Sequence, residues 1–274
     1  MVHPLADSAL LFSASKSQKS AASVNVGSAL PMESSREKTA RSSNGGRTLV
    51  VMAKAPKPGM VKTRLSPSLP VEAVTELYRC LLNDTIALAH SLEMVNVAIM
   101  CPASDVEELT KLAPSVSSVL GQKGQGLAAG LNSAFAHFAA IGHQRVVAFN
   151  SDSPHLPASI LENAFEALAS HDVVVGPTHD GGYYLVGAKA SHPGLFDGDS
   201  MGTKSALEAL LARARALQLS VGFTDLFYDI DVAVDLTRLA AELELAPARA
   251  PRTAAWLKLW APAVAQLRTG AVGQ

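Results

Sequence analysis

Cysteine is scarce in this sequence, neither sign of charge is in excess, and long apolar runs are missing. Two cysteines, Cys80 and Cys101, can build no disulfide framework and have no metal-ligand spacing. The first falls in a helical pattern and the second ends a strand, so both read as unreactive thiols of a reducing cytoplasm. Lysine and arginine number 23 against 24 acidic residues, a formal net charge of -1. That balance offers no general surface for nucleic acid or an anionic membrane. No apolar stretch approaches the length of a membrane span. What is there is a chain of 274 residues, 48% hydrophobic and 17% charged, enough for one large domain or two small ones.

Met1 to about Gly46 differs from the rest. It is rich in Ser and Ala, poor in aromatics, and closes on the linker-like "SSNGGR". A secretory signal is not evident, because "ALLF" is too short an apolar core and no basic start precedes it. Residues 1–46 are expected to be a disordered tail, or an over-long gene start with Met32 as a second initiator. Residues 47–270 are expected to form a single domain.

From Thr48 onward, strand and helix patterns alternate. "TLVVMA", "VNVAIMC" and "RVVAFNSD" are short apolar runs of the kind that suits strands buried on both faces. Between them, Pro70 to Leu92 places Val71, Val74, Leu77, Leu81 and Leu82 on one helical stripe. "LAAGLNSAFAHFAAIG" is a helix ending at Gly142, and Pro157 to Ser170 is another with proline at its start. "HDVVVGP" and "GYYLVGA" are two strands around a polar turn. Gly202 to Leu219 is a helix, "SVGFTD" a last strand, and "AVDLTRLAAELEL" a helix. From Pro251 a terminal helix follows, with Trp256 and Trp260 packing on the body. This alternation predicts an α/β fold with a mostly parallel, mixed sheet and helices on both faces. Ligands of such sheets bind outside the carboxyl ends of the strands.

The loops at those ends carry the polar chemistry. "VVMAKAPKPGMVKTRL" supplies Lys54, Lys57, Lys62 and Arg64 without an acid, and Gly59 permits close backbone approach. Phosphate is the natural guest of paired Arg donors and a compact Lys charge, although a solvated basic loop has the same composition. The loop is neither a P-loop nor a GxGxxG fingerprint. Asp152, directly after the third strand, stands where an acid can share a Mg2+ ion with substrate phosphates, or where it closes an ordinary turn. In "YDIDVAVDL", Asp229 and Asp231 face one side of an extended segment and repel unless a cation compensates them. One of them is alternatively the cap of the next helix, and Asp235 reads as a solvated surface acid. In "GPTHDGGYYLVG", Asp180 is a candidate base or hydroxyl-orienting group, or a turn residue of the hairpin. His155 and His179 read as turn or surface residues. "GQKGQGLAAGL" opens a helix whose N–H groups and Gly126 favour an anion.

Taken in order, "MAKAPKPGMVKTRL", "QGLAAGLNSAF", "NSDSPHLP", "VVVGPTHDGGYYLVGA", "MGTKSALE" and "DIDVAVDL" resemble the DUF2064 family. That family belongs to the nucleotide-diphospho-sugar transferase superfamily with the Rossmann-like GT-A fold, and some of its members are named arsenosugar-biosynthesis glycosyltransferases. The resemblance covers about Thr48 to Leu236. It implies a nucleotide site at Ala53, Lys54, Ala55, Gly59, Lys62, Arg64 and Gly126. Asp152, Asp229 and Asp231 would hold a divalent cation, Mg2+ or Mn2+. Asp180 would act in catalysis, with Gly181, Gly182 and Tyr183 shaping the acceptor or sugar pocket. Two departures stand out: Asn150-Ser151-Asp152-Ser153-Pro154 replaces a commoner Gly-Thr-Asp-Cys-Pro, and Lys204 stands where an acid is common. The implied activity is a cytoplasmic, metal-dependent glycosyltransferase taking a nucleotide sugar and a small-molecule acceptor, with homodimer formation left open. Nucleotidyl transfer from a nucleoside triphosphate, as in the 2-phospholactate guanylyltransferases of the same fold, is an alternative. Nucleotide binding without turnover is another.

Overall fold

The computed structural model describes residues 46–198 and 205–270. Apart from Gly46, the expected tail lies outside them, as does Lys204. Among the described residues there are seven strands: β1 (Arg47–Met52), β2 (Asn96–Cys101), β3 (Ser118–Gly121), β4 (Arg145–Asn150), β5 (Val173–Pro177), β6 (Tyr183–Ala188) and β7 (Val221–Phe223). They form one sheet in the order β3-β2-β1-β4-β6-β5-β7. Only β6 runs against its neighbours β4 and β5; the other pairings are parallel. The fold is the mixed, mostly parallel α/β architecture expected from the alternation of patterns.

The helices are α1 (Val71–His90), α2 (Val106–Leu112), α3 (Gly126–Ala140), α4 (Ala158–Ser170), α5 (Ala206–Ala216), α6 (Ala233–Leu245), α7 (Pro251–Leu259) and α8 (Ala261–Gly270). Alternate strand residues serve opposite faces of the sheet. Leu49, Val51, Val147 and Phe149 pack with Leu82 and Ile86 of α1 and Phe165 of α4. Val50, Ala148 and Val186 pack on the other side with Phe135 and Phe138 of α3 and Leu210 of α5. Each fully buried side chain of this size contributes roughly 2–3 kcal/mol, which is why these strands carry almost no polar residues.

Helix α1 is buried on two sides, not one. Tyr78, Leu82 and Ile86 face the sheet. Val74, Leu77 and Leu81 face a third cluster with Leu236 and Leu239 of α6 and Trp256 of α7. The stripe read as one face thus divides between two partners. Asp84, a fully buried acid of α1, accepts hydrogen bonds from Thr253 N (2.7 Å) and Arg252 N (3.3 Å). It satisfies the free N–H groups at the start of α7 from across the interface. The terminal helix breaks at Trp260 into α7 and α8, with the Trp256 and Trp260 rings stacked at 5.7 Å. Among the described residues no helix is long and apolar enough to cross a membrane.

Candidate active site

Parallel register brings the ends of β1 and β4 together, with Met52 beside Asn150. The loop opening at Ala53 and the loop carrying Asp152 therefore leave the same rim. Because β6 is antiparallel, its start at Tyr183 and the β5–β6 turn also lie at that rim. The segment after β7 crosses the rim on a series of hydrogen bonds. Tyr184 donates to Asp225 O (2.8 Å), Phe227 N to Pro177 O (3.1 Å), Ser153 Oγ to Tyr228 O (3.0 Å) and Ile230 N to Asp152 O (3.1 Å). That sequence of bonds delivers Asp229 and Asp231 to Asp152.

Lys62 lies at the centre of this group. Its Nζ stands 2.8 Å from Asp152 Oδ2 and 3.9 Å from Asp231 Oδ1, with the side chain only 5% exposed. Arg64 pairs with the same Asp231. The backbone at Lys62 has φ +47°, a left-handed conformation costing a non-glycine residue roughly 1–2 kcal/mol. Burial pushes the Asp229 carboxyl up to about 6; Lys62 opposes that shift, and Asp152 and Asp231 add to it. With all three acids ionised against Lys62 and Arg64, the cluster keeps one uncompensated negative charge.

Neither Asp229 nor Asp231 caps α6. Asp235 does so: its Oδ2 accepts from Val232 N (2.8 Å) and Asp231 N (3.0 Å). Asp235 is therefore a capping residue and not merely a solvated acid, and the Asp229/Asp231 pair remains available to cations. Among the described residues no three His, Cys, Asp or Glu side chains converge as a ready-made metal cage. The donor set suits a hard cation that takes one or two carboxylates and completes its shell with water and phosphate.

The first loop divides its charge. Lys57 is tied to Asp105 at 2.6 Å, and the other Asp105 oxygen accepts from Ala55 N at 2.9 Å. Burial alone would raise Asp105, but the bonds from Lys57, Ala55 and Ser104 outweigh it and leave its carboxyl below the usual range. Lys57 therefore fastens the loop, whereas Lys54 is exposed. Ala53 and Ala55 are buried beneath it. The glycine loop stands at the end of β3, where Gln122 donates to the Gly124 and Gly126 carbonyls. Gly126 has φ +82° with nothing within 4 Å of where a Cβ would stand, so its surface is open to a ligand.

Asp180 is exposed, and its Oδ1 accepts from Thr178 Oγ1 (2.6 Å) and Gly182 N (3.2 Å). Gly181, at φ +87°, completes that turn, and its carbonyl accepts from Leu207 N at the start of α5. Beside Gly181 opens a groove of about 470 Å³ lined by Leu207, Glu208, Leu211, Ala212 and Arg215. Tyr183 and Tyr184 face opposite sides of the sheet, as the strand period requires. A second cavity of about 530 Å³, mostly aliphatic, lies among α6, α7 and α8, away from the rim.

Three residues of the rim escaped the reading by sequence. Asp105, just before α2, carries no local sign of its bonds to Ala55 and Lys57. Tyr78 stands in an apolar helical pattern, yet its buried hydroxyl meets Lys54 N (3.0 Å), Lys54 O (3.2 Å) and Ser151 Oγ (3.1 Å), joining the two loops. A tyrosine on the core side of a helix needs such a partner, and that was the available signal. His155 stands in a turn, as expected, yet it is no surface residue: it is fully buried among Phe227 and Tyr228, with neither ring nitrogen hydrogen-bonded. His179 is exposed, as expected.

Comparison with known proteins agrees with this fold. The profile of DUF2064, described as uncharacterized proteins conserved in bacteria, matches residues 85–203. Asp152 and the Asp180–Tyr183 turn fall inside that span, whereas Lys62, Asp229 and Asp231 fall outside it. Among curated proteins none matches this sequence. The crystal structure of a candidate nucleotide-diphospho-sugar transferase from Desulfovibrio desulfuricans G20 superposes with a TM-score of 0.75 at 26% identity, covering 81% of this chain and 98% of its own. A nucleotidyl transferase from Methanothermobacter shares the fold at a TM-score of 0.52 and 16% identity, over 74% of this chain and 100% of its own. A CMP:2-keto-3-deoxy-manno-octonic acid synthetase complexed with CTP does so at 0.50 and 10%, over 73% and 99%. The DUF2064 resemblance is thus shown over residues 85–203, on the fold of the nucleotide-diphospho-sugar and nucleotidyl transferases.

Proposed function

We propose that this chain is a metal-dependent glycosyltransferase of the GT-A type, acting on a nucleotide-diphospho-sugar and a small-molecule acceptor. One observation carries the reading: Lys62 and Arg64 converge with Asp152, Asp229 and Asp231 at a single rim. The candidate transferase from Desulfovibrio supports the sugar-nucleotide class, because it shares this fold along nearly its whole length.

Glycosyl transfer breaks the bond between the anomeric carbon and a phosphate oxygen and forms one to the acceptor oxygen, whose proton passes to a base. Lys62 and Arg64 stand ready to take the negative charge that the departing diphosphate gains. A Mg2+ or Mn2+ ion held by Asp152 with Asp229 and Asp231 would neutralise the same charge. The backbone from Ala53 to Ala55, locked by Tyr78 and Asp105, offers a fixed wall for the base, and the open surface of Gly126 admits the ligand. Asp180 would serve the acceptor beside the Gly181 groove.

Nucleotidyl transfer is a second reading, favoured by the fold shared with the CTP-bound synthetase and the nucleotidyl transferase. The two separate in one experiment. The protein is offered nucleotide sugars and nucleoside triphosphates with Mg2+ or Mn2+. Nucleoside diphosphate release from a sugar donor is expected. Pyrophosphate release instead would select nucleotidyl transfer, and binding without either product would select a non-catalytic nucleotide-binding protein.

A further inference from the structure

The position of Lys62 is unusual for a residue whose task is only to grip phosphate. A left-handed backbone turn (φ +47°) carries its side chain inward until 5% remains exposed. There its ammonium takes Asp152 Oδ2 at 2.8 Å and lies 3.9 Å from Asp231 Oδ1, the carboxylate that Arg64 also holds. These are the oxygens that a divalent cation needs. An ammonium and a divalent ion cannot both sit on them, because the two cations would repel at contact distance in a partly buried site. The described carboxylates form no complete cage by themselves, so a bound cation fills its shell with water or with phosphate oxygens, the phosphate adding charge that water lacks.

We infer that Lys62 is a resident counter-ion of the acid cluster. It leaves Asp152 and Asp231 when a polyphosphate offers its ammonium another partner, so that divalent cation and nucleotide bind as a coupled pair. The nucleotide half of this inference rests on the function proposed above; the competition between Lys62 and a cation rests on geometry alone. Coupling of this kind is reciprocal: each ligand raises the affinity for the other by the same factor.

The test titrates Mn2+ without nucleotide into the wild type, Lys62→Gln and Lys62→Arg, following the free ion by electron paramagnetic resonance. Lys62→Gln is expected to bind Mn2+ at least about tenfold more tightly than the wild type. Lys62→Arg, which keeps the charge, should match the wild type. Equal or weaker binding by Lys62→Gln overturns the inference. Should Lys62→Gln fail to fold, thermal unfolding of the wild type decides. The rise in Tm with Mg2+ and inorganic pyrophosphate together should exceed the sum of the separate rises, and a rise no greater than that sum overturns the coupling. Failure of the proposed function has a different signature: none of ADP, GDP, CDP or UDP binds the wild type with or without Mn2+, while Lys62→Gln still gains Mn2+ affinity.

Discussion

The Nζ of Lys62 and Oδ2 of Asp152 are 2.8 Å apart, an ion pair joining the loop after β1 to the loop after β4. Around it, Asp229 and Asp231 arrive from the far end of the chain. Burial first, then Asp152 and Asp231, push the Asp229 carboxyl up to about 6 against the pull of Lys62. A protonated carboxyl is a poor cation ligand, so metal-supported turnover should rise as pH increases through about 6. A pH profile of turnover at limiting Mg2+ checks this, since saturating metal would displace the proton, and a flat profile between pH 5 and 7 would remove Asp229 from the site.

The same shift has a consequence for stability. The folded-state value of Asp229 lies above the unfolded value of 3.8. The folded protein therefore holds the proton more tightly, and that gain is lost as pH rises from about 4 through about 6. Asp229→Asn should then be more stable than the wild type at pH 8, by about 1–3 kcal/mol, with the difference shrinking at pH 4. Urea unfolding at the two pH values measures it.

His155 behaves in the opposite sense. Burial first, then Arg249 and Arg238, push its imidazole down to about 3. Between the unfolded value of 6.5 and that value, only the unfolded chain binds the proton, so stability falls as pH drops through this window. Replacing His155 by Phe, in a pocket already formed by Phe227 and Tyr228, should flatten the acid limb. The advantage over the wild type should grow by about 1.4 kcal/mol per pH unit below 6.5. Parallel curves for the two proteins would show that His155 does not stay neutral.

Much of this architecture was legible in the sequence. β1, β2 and β4 are apolar runs too uniform for a one-sided strand, and they are buried on both faces. The rule that ligands bind outside the carboxyl ends of the strands points to the loops of Lys62, Asp152 and Asp180, and the alternation of Asp229 with Asp231 points to the fourth segment, which the structure brings beside Lys62 and Asp152. What stayed hidden depends on distance in the chain. Nothing local distinguishes Lys57, which fastens the loop to Asp105, from Lys62, which meets the acids. Likewise Asp235 has the look of a helix-surface acid until the cap of α6 is seen. Burial of His155 follows from the crossing of the segment after β7, a tertiary event with no periodicity of its own.

Tyr78 tests how the two loops are held. Tyr78→Phe keeps the ring in the core and removes only the hydroxyl that meets Lys54 and Ser151. A loss of about 1 kcal/mol in stability is expected, together with weaker nucleotide binding, since the Ala53–Ala55 backbone loses its tie to β4. Calorimetric titration of the nucleoside diphosphate that binds the wild type checks it, and unchanged affinity would show that Asp105 alone fixes the loop.

On the proposed function, the acid after β4 shares a cation with the substrate's phosphates at the rim where Lys62 stands. Asp152→Asn tests it most directly, by nucleoside diphosphate release from a sugar donor in Mg2+ or Mn2+, with thermal unfolding run alongside. Turnover is predicted to fall about 100-fold or more with the fold retained. Asp152→Asn turning over at the wild-type rate would contradict the account.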